Sequence, residues 1–283
     1  MPELPEVETI ARRLSVKLIG RRILSVVVLR SKSWSGQSEL VIGQPIVAVK
    51  RRAKILIIEF DQSPISLLIH LKMTGQLIHV DENKKKVGGG HPTTDWIDEL
   101  PGKHTRVILE LDDGSTLFFN DMRVFGWMKV VTEAEKTKEL ANYGPDIIDS
   151  KITDAWFYQQ LQKKSQPIKQ VIMDSSFIAG VGNIYACDGL HLAGISPTRS
   201  AKSLKLKEAS RLLEALQTVI NLGIELGGAT IQNYKNVDGL AGKYQLERRV
   251  YARETEPCVV CGQLLLRIKQ GGRSTFYCSH CQK

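Results

Sequence analysis

The chain has 283 residues, 42% hydrophobic and 24% charged. That composition excludes a disordered, collagenous or fibrous chain, and the length predicts two domains with a sizeable core. The net charge of +9 points to a polyanionic partner: nucleic acid, an anionic membrane surface or a phosphorylated ligand.

Residues 6–19 predict an amphipathic helix, because Val7, Ile10, Ala11, Leu14 and Leu18 follow helical spacing and Gly20 stops it. Pro5 suits its first turn, and Glu6 and Glu8 suit its positive end. Short β-like runs follow at 23–30, 46–52, 55–59, 66–71, 76–80, 105–111, 116–120 and 127–131. Asp112-Asp113-Gly114-Ser115 reads as a hairpin turn, and the many short strands predict a sandwich or barrel. Residues 81–103, with three lysines and three glycines in runs, predict a long mobile loop.

Gly144-Pro145 marks a boundary near residue 150. Beyond it, 168–173 and 184–193 predict helices around the turn Ala179-Gly180-Val181-Gly182-Asn183. Ser203 is the expected cap of a strong helix carrying Ala209, Leu212, Leu213, Leu216, Val219 and Ile220 on one face. Residues 229–243 read as a loop and 249–283 as a cysteine module. The charge is uneven: residues 1–150 are net +1 and residues 151–283 net +8. No apolar run approaches the ~18 residues of a membrane span. The N-terminus lacks a secretory pattern, so a soluble, cytoplasmic protein with no membrane partner is expected.

Cys258-x-x-Cys261 and Cys278-x-x-Cys281 stand sixteen residues apart. Each pair turns two thiolates toward one point, and four thiolates close a tetrahedral zinc shell with no open position. One structural Zn2+ is therefore expected, with a redox pair or an iron–sulfur cluster as rivals. Cys187 reads as a small buried residue and His280 as exposed. The intervening loop carries Lys269, Gly271, Gly272, Arg273, Ser274 and Thr275, a hairpin tip suited to a groove or a phosphate, or simply a solvated turn.

Gly180-Val181-Gly182 does not make a dinucleotide site, because residue 185 is Tyr and no strand precedes it. Asn183, opening a helix after two glycines, instead offers backbone N–H groups to a phosphate, with Lys163, Lys164 and Lys169 upstream. At the N-terminus, removal of Met1 would expose the secondary amine of Pro2. An α-amino group titrates near ~7.7–8, so a neutral fraction exists at physiological pH. Such an amine can attack an aldehydic sugar carbon, with Glu3 and Glu6 as acid or base. The plain alternative is an N-terminal proline with no chemical role.

These segments converge. Pro2-Glu3-Leu4-Pro5-Glu6-Val7-Glu8-Thr9, Asn120-Asp121-x-Arg123-x-Phe125-Gly126, the stretch Ala179 to Ala186 and the closing stretch Glu256 to Gln282 resemble bacterial formamidopyrimidine-DNA glycosylases. The matches run in order through residues 2–282. The resemblance implies an α+β fold in three parts. Residues 1–148 would form a catalytic N-terminal β-sandwich and 149–248 a helix–two-turn–helix domain with a lid loop at 229–243. A zinc finger with four cysteine ligands would occupy 249–283. The resemblance also implies excision of oxidised purines such as 8-oxoguanine and formamidopyrimidines from double-stranded DNA by a monomer, with abasic sites also processed. The base would be flipped out, and β,δ-elimination would cut the strand.

By the same resemblance, Pro2 would attack the sugar C1′ and Glu3 would donate the proton. Lys54 would act in lesion handling and β-elimination, and Arg273 in δ-elimination. His70, Met73, His104, Arg123, Phe125, Lys164, Lys169 and Asn183 match DNA-binding positions. Met73, Arg123 and Phe125 would fill the gap left by the flipped base, where a thioether and a ring replace lost stacking. On residue type alone Met73 and Phe125 read as core, and Lys54 and His104 as surface groups. This sequence departs from the family pattern at Ala53, in place of a glycine. It departs again at Met122 and Val124, in place of Pro and Arg, and at Asp188-Gly189. Two other readings remain: an oxidised-pyrimidine glycosylase of the endonuclease VIII type, disfavoured by Leu4, and a non-catalytic zinc-containing DNA-binding protein.

Overall fold

A computed structural model describes residues 2–90, 100–229 and 242–283. The expected lid at 229–243 falls mostly outside the described residues. Contacts group residues 1–141 with 224–245, and 142–223 with 246–283.

The first unit opens with helix α1 (Leu4–Leu18). It buries Leu4, Val7, Ile10, Leu14 and Leu18 almost completely. At about 2 kcal/mol per fully buried aliphatic side chain, that stripe anchors the helix. Gly20, at φ +84, lets the chain turn away after its end.

Among the described residues, ten strands make two five-stranded sheets. These are β1 (Ile23–Val28), β2 (Trp34–Ser35), β3 (Ile46–Arg52), β4 (Ile55–Phe60), β5 (Ile65–His70), β6 (Gly75–Val80), β7 (Lys86–Gly90), β8 (Thr105–Leu111), β9 (Thr116–Asp121) and β10 (Trp127–Thr132). One sheet runs β1-β8-β9-β6-β7 and the other β2-β10-β5-β4-β3. Leu77, Val107, Leu109 and Phe119 of the first share one core with Leu56, Ile58, Leu67, Ile69 and Met128 of the second, and with the stripe of α1. This is a sandwich, as the strand count predicted.

Two strands were not legible. β2 is a two-residue edge that pairs parallel with β10. β7 lies in the stretch expected to be a mobile loop, and it pairs antiparallel with β6. Its glycines explain the difference. A Cβ on Gly90 would lie 2.4 Å from the Gly75 carbonyl oxygen, so the close pairing depends on having none there. Backbone pairing along the open edge of β6 outweighs the low strand propensity of a lysine–glycine run.

After α2 (Glu133–Leu140), the second unit holds α3 (Asp154–Gln162), α4 (Ile168–Ile172), α5 (Asn183–Leu192) and α6 (Leu206–Glu225), the last two residues of which belong to the first unit. The hairpin β11 (Leu266–Gln270) and β12 (Arg273–Tyr277) completes it. Ser203 does not cap α6. Its hydroxyl donates to the Ser200 carbonyl within a short turn. Glu208 takes the capping role, accepting from Lys205 N at 2.8 Å. Leu204 and Lys205 lie between Ser203 and the first residue of α6, so Ser203 stands before the N-cap position, too far for a cap. Among the described residues no helix is long and apolar enough to cross a membrane.

Candidate functional site

In the first unit, Pro2 and Glu3 are buried at the head of α1. Glu3 is its N-cap residue, and Glu6 Oε2 accepts from Glu3 N at 2.7 Å. The other oxygen of Glu6 accepts from Ala229 N at 2.8 Å. A Cβ on Gly228 would lie 2.9 Å from Glu6, so only glycine permits this approach. The buried Glu6 carboxylate thus joins the first residues of the chain to the turn that follows α6.

Lys54 lies in the tight turn between β3 and β4. Ala53 beside it sits at φ +56 and is buried. That left-handed backbone explains why glycine suits the position, and alanine there costs about 1 kcal/mol. His70 ends β5, buried, and its Nδ1 accepts from Lys72 N at 3.0 Å. Burial pushes its pKa down to about 3, and the charges of Lys72, Lys54 and Lys129 add to the shift. The ring is therefore neutral at pH 7.

Two turns meet through Asp121, a fully buried residue at the end of β9. Its Oδ1 accepts from the Thr74 hydroxyl and from Arg123 N at 3.2 Å. Its Oδ2 accepts from Phe125 N at 2.8 Å and Gly126 N at 2.7 Å. The Asp121 amide donates to the carbonyl of His104. Arg106 Nε donates to the Asp121 carbonyl at 2.7 Å. Turn 122–126 is thereby stitched to turn 71–74 and to the start of β8. Val124, at φ +54, shows why a strong anchor is needed, since a β-branched residue strains there.

From this buried scaffold the apolar side chains project outward. Met73 is 44% exposed and Phe125 53% exposed. Neither is a core residue. The Arg123 guanidinium lies 4.7 Å from the centre of the Phe125 ring. A flexible thioether, a ring and a planar cation are thus displayed around two turns of one scaffold, on exposed surface of a kind that stacks against bases. Sequence reasoning did not single out Asp121 or Thr74 as the parts that hold them. Asp121 stood inside the Asn120-Asp121-x-Arg123 motif, but its four bonds exist only in three dimensions.

In the second unit, Asn183 opens α5 and Arg273 opens β12, exposed beyond the Gly271-Gly272 turn. Between them lies Lys169, only 1% exposed. Its Nζ donates to Asn183 Oδ1 at 2.5 Å, Thr275 Oγ1 at 2.7 Å and the Ser274 carbonyl at 3.1 Å. Asn183 Nδ2 donates to the same carbonyl at 3.0 Å. The lysine charge therefore pins the hairpin strand that carries Arg273 against the start of α5. Lys164 is half-buried and lines a cavity of about 200 Å³ with Gln166, Gln170, Val171 and Asp174.

Cys258, Cys261, Cys278 and Cys281 bring their sulfur atoms within 4.8 Å of one another. Two pairs lie 3.9 Å and 3.5 Å apart. A zinc tetrahedron with Zn–S bonds of ~2.3 Å has sulfur–sulfur edges of about 3.8 Å, so the residues fit the ion. His280 is exposed and Cys187 is buried, with its thiol pushed up to about 11 by burial. Cys187 is thus an inert packing residue, as its sequence context suggested. The Asp188-Gly189 departure also has a packing role. The Asp188 carboxylate accepts from Val250 N at 2.9 Å and Tyr251 N at 3.1 Å. A Cβ on Gly189 would lie 2.7 Å from Leu216 Cδ2.

Comparison with known proteins agrees along the whole length. Three family models match: the formamidopyrimidine-DNA glycosylase N-terminal domain over residues 1–128, its H2TH domain over 143–235, and the zinc finger found in FPG and IleRS over 256–283. The formamidopyrimidine-DNA glycosylase of Pelotomaculum thermopropionicum is 38% identical, over all of this chain and 99% of that one. That of Listeria innocua is 36% identical over all of both chains. Among solved structures, the MutM (Fpg) protein of Thermus thermophilus superposes with a TM-score of 0.85 at 36% identity, covering 99% of this chain and 98% of that one. The Lactococcus lactis Fpg bound to DNA containing an abasic site superposes with a TM-score of 0.87 at 28% identity over all of both chains.

Proposed function

The chain belongs to the formamidopyrimidine-DNA glycosylase family, and from that premise we propose that it repairs double-stranded DNA by excising oxidised purines through its N-terminal proline. With Met1 removed, the Pro2 nitrogen attacks C1′ of the damaged nucleotide. The N–C1′ bond forms as the glycosidic bond breaks, and its electron pair leaves with the base. Glu3, buried beside Pro2, is the acid that supplies the proton. The amine proton passes to the departing base, and the nitrogen lone pair then opens the C1′–O4′ bond as Glu3 protonates O4′. The resulting iminium acidifies the C2′ hydrogen. Loss of that proton expels the 3′ phosphate, and a second elimination expels the 5′ phosphate. Water then hydrolyses the iminium and frees the amine. Lys54 assists the first elimination, and Arg273, exposed at its hairpin tip, stabilises a phosphate in the second.

The observation that carries this reading is the head of α1, where Glu6 joins Glu3 to the turn after α6. A nucleophile at a chain end has no other covalent restraint, so it needs such an anchor to keep its geometry. Met73, Arg123 and Phe125 occupy the space of the flipped base, while His70 and His104 border them. Lys164 and Asn183 meet the phosphate backbone, and Lys169 acts through Asn183 and Ser274. Zinc, held by the four cysteines, folds the hairpin that presents Arg273 and takes no part in the reaction. The protein works as a monomer in the cytoplasm.

Borohydride reduction on a duplex containing 8-oxoguanine tests the assignment. A covalent protein–DNA species is expected with N-terminally processed protein and is expected to fall at least tenfold with Pro2→Gly. Absence of any trapped species with processed parent protein overturns the proposal.

A further inference from the structure

His191, near the end of α5, makes a polar contact with a metal ligand. Its side chain is buried, and its Nε2 lies 3.3 Å from the sulfur of Cys258. On the other side of the ring, Arg249 Nε donates to His191 Nδ1 at 3.1 Å. A guanidinium has donors only, so Nδ1 must present its lone pair. The proton of the ring is then on Nε2, aimed at the sulfur. The tautomer follows from the partners on the two sides.

The setting is built to keep this arrangement. One turn before His191, Asp188 accepts the amides of Val250 and Tyr251, which hold the segment bearing Arg249. Cys258 and Cys278 are buried. Four thiolates around Zn2+ leave two negative charges, and burying such a charge is costly unless donors compensate it. Val260 N, 3.5 Å from Cys258 Sγ, is a weak donor to the same sulfur. The imidazole supplies a stronger one, with the Arg249 cation directly behind it.

We propose that His191 is a positioning residue of the zinc centre, donating an Nε2–H···S hydrogen bond to the Cys258 thiolate in a relay Arg249–His191–Cys258. The bond draws charge off the sulfur, fixes the direction of its lone pairs and couples α5 to the metal centre, whose hairpin carries Arg273. Partners that orient metal ligands in this way change metal affinity by ~10–100-fold when removed.

The test uses the full chain. In the zinc-loaded parent, long-range proton–nitrogen correlation is expected to show His191 protonated on Nε2 and bare on Nδ1. With cadmium-113 in place of zinc, a scalar coupling between the metal and the Nε2 proton is expected through the sulfur. A ring protonated on Nδ1, or an Nε2 proton without that coupling, overturns the proposal. Zinc release to the chelator 4-(2-pyridylazo)resorcinol gives an independent readout. His191→Phe is expected to release zinc about 10-fold faster, while His191→Gln, which keeps a donor, stays within about threefold of the parent. Release from His191→Phe at the parent rate, or equal acceleration in both variants, refutes a role for the hydrogen bond. The spectroscopic readout stands on the parent protein, so it decides the matter even if a variant fails to fold.

Discussion

Replacing Asp121 with asparagine perturbs the scaffold of the base-replacing residues while leaving its shape almost unchanged. The carboxylate accepts two donors on each oxygen: Thr74 Oγ1 with Arg123 N, and Phe125 N with Gly126 N. Asparagine keeps one acceptor oxygen and turns the other end into a donor. Whichever way the amide sits, two donors face a donor. A hydrogen bond to a charged acceptor contributes about 1.5–3 kcal/mol. The Arg123 amide has a second acceptor in Thr74 Oγ1 at 3.1 Å, and the Phe125 contact is only part-buried, so only the buried Thr74 or Gly126 donor loses its bond in full. The expected cost is about 2–4 kcal/mol. At roughly 2–4 °C per kcal/mol for a protein of this size, Tm falls by about 8 °C. Circular dichroism melting at pH 7 reads it, alongside excision of 8-oxoguanine well below the transition. Asp121→Asn should lower both. Phe125→Ala, which removes an exposed ring, should leave Tm unchanged and lower only excision. An Asp121→Asn protein melting within about 1 °C of the parent refutes the reasoning, as does a lower Tm for Phe125→Ala than for Asp121→Asn.

Four other perturbations separate structural from functional charge. Hydrogen bonds from Arg199 hold the Glu208 carboxyl down at about 2 against its ordinary 4.5, more than offsetting partial burial. Because the folded value is depressed, this stabilisation is complete above pH 4.5 and lost as pH falls toward 2. Glu208→Gln should cost about 1 kcal/mol at pH 7 and nothing near pH 2 in urea titrations, and an equal cost at both contradicts the assignment. In DNA binding, Lys164→Ala should reduce the slope of log K against log salt by about 1. Lys169→Met should weaken binding with the slope unchanged, because its ammonium is spent on Asn183, Ser274 and Thr275. The reverse pattern shows Lys169 to be the phosphate contact. Chelating the zinc should unfold the 256–283 hairpin and abolish DNA binding, with recovery on adding zinc back. Full binding by the metal-free protein refutes a folding role for the ion.

The elements with a strong local signal were legible residue by residue. The apolar stripe of α1, the paired runs around Asp112-Asp113-Gly114-Ser115 and the two C-x-x-C turns each carry their pattern within a short window. β7 was not legible, because nothing within Lys86–Gly90 prefers a strand, and only the open edge of β6 makes it one. Ser203 misled for the complementary reason. It has the right chemistry for a cap, but the cap belongs to the residue where the chain actually turns into the helix.

The candidate site divides along the same line. Which groups are present was decided by the sequence: a proline that an exposed amine could follow from, a carboxylate beside it, four thiolates at ligand spacing, and a surplus of cations in the second half. What each group does depends on burial and partners, which are set by residues far away in the chain. Lys169 and Lys164 look alike as letters, yet one is sealed among three acceptors and the other lines an open cavity. Met73 and Phe125 read as core by type and stand exposed, because Asp121 spends its carboxylate on the backbone that presents them. Ala53 departs from glycine and still adopts the left-handed turn, because the surrounding strands outweigh the cost. Residue type sets the chemistry available. Solvent exclusion and hydrogen-bond partners, which only the tertiary structure assembles, decide which of those groups remain free to meet DNA.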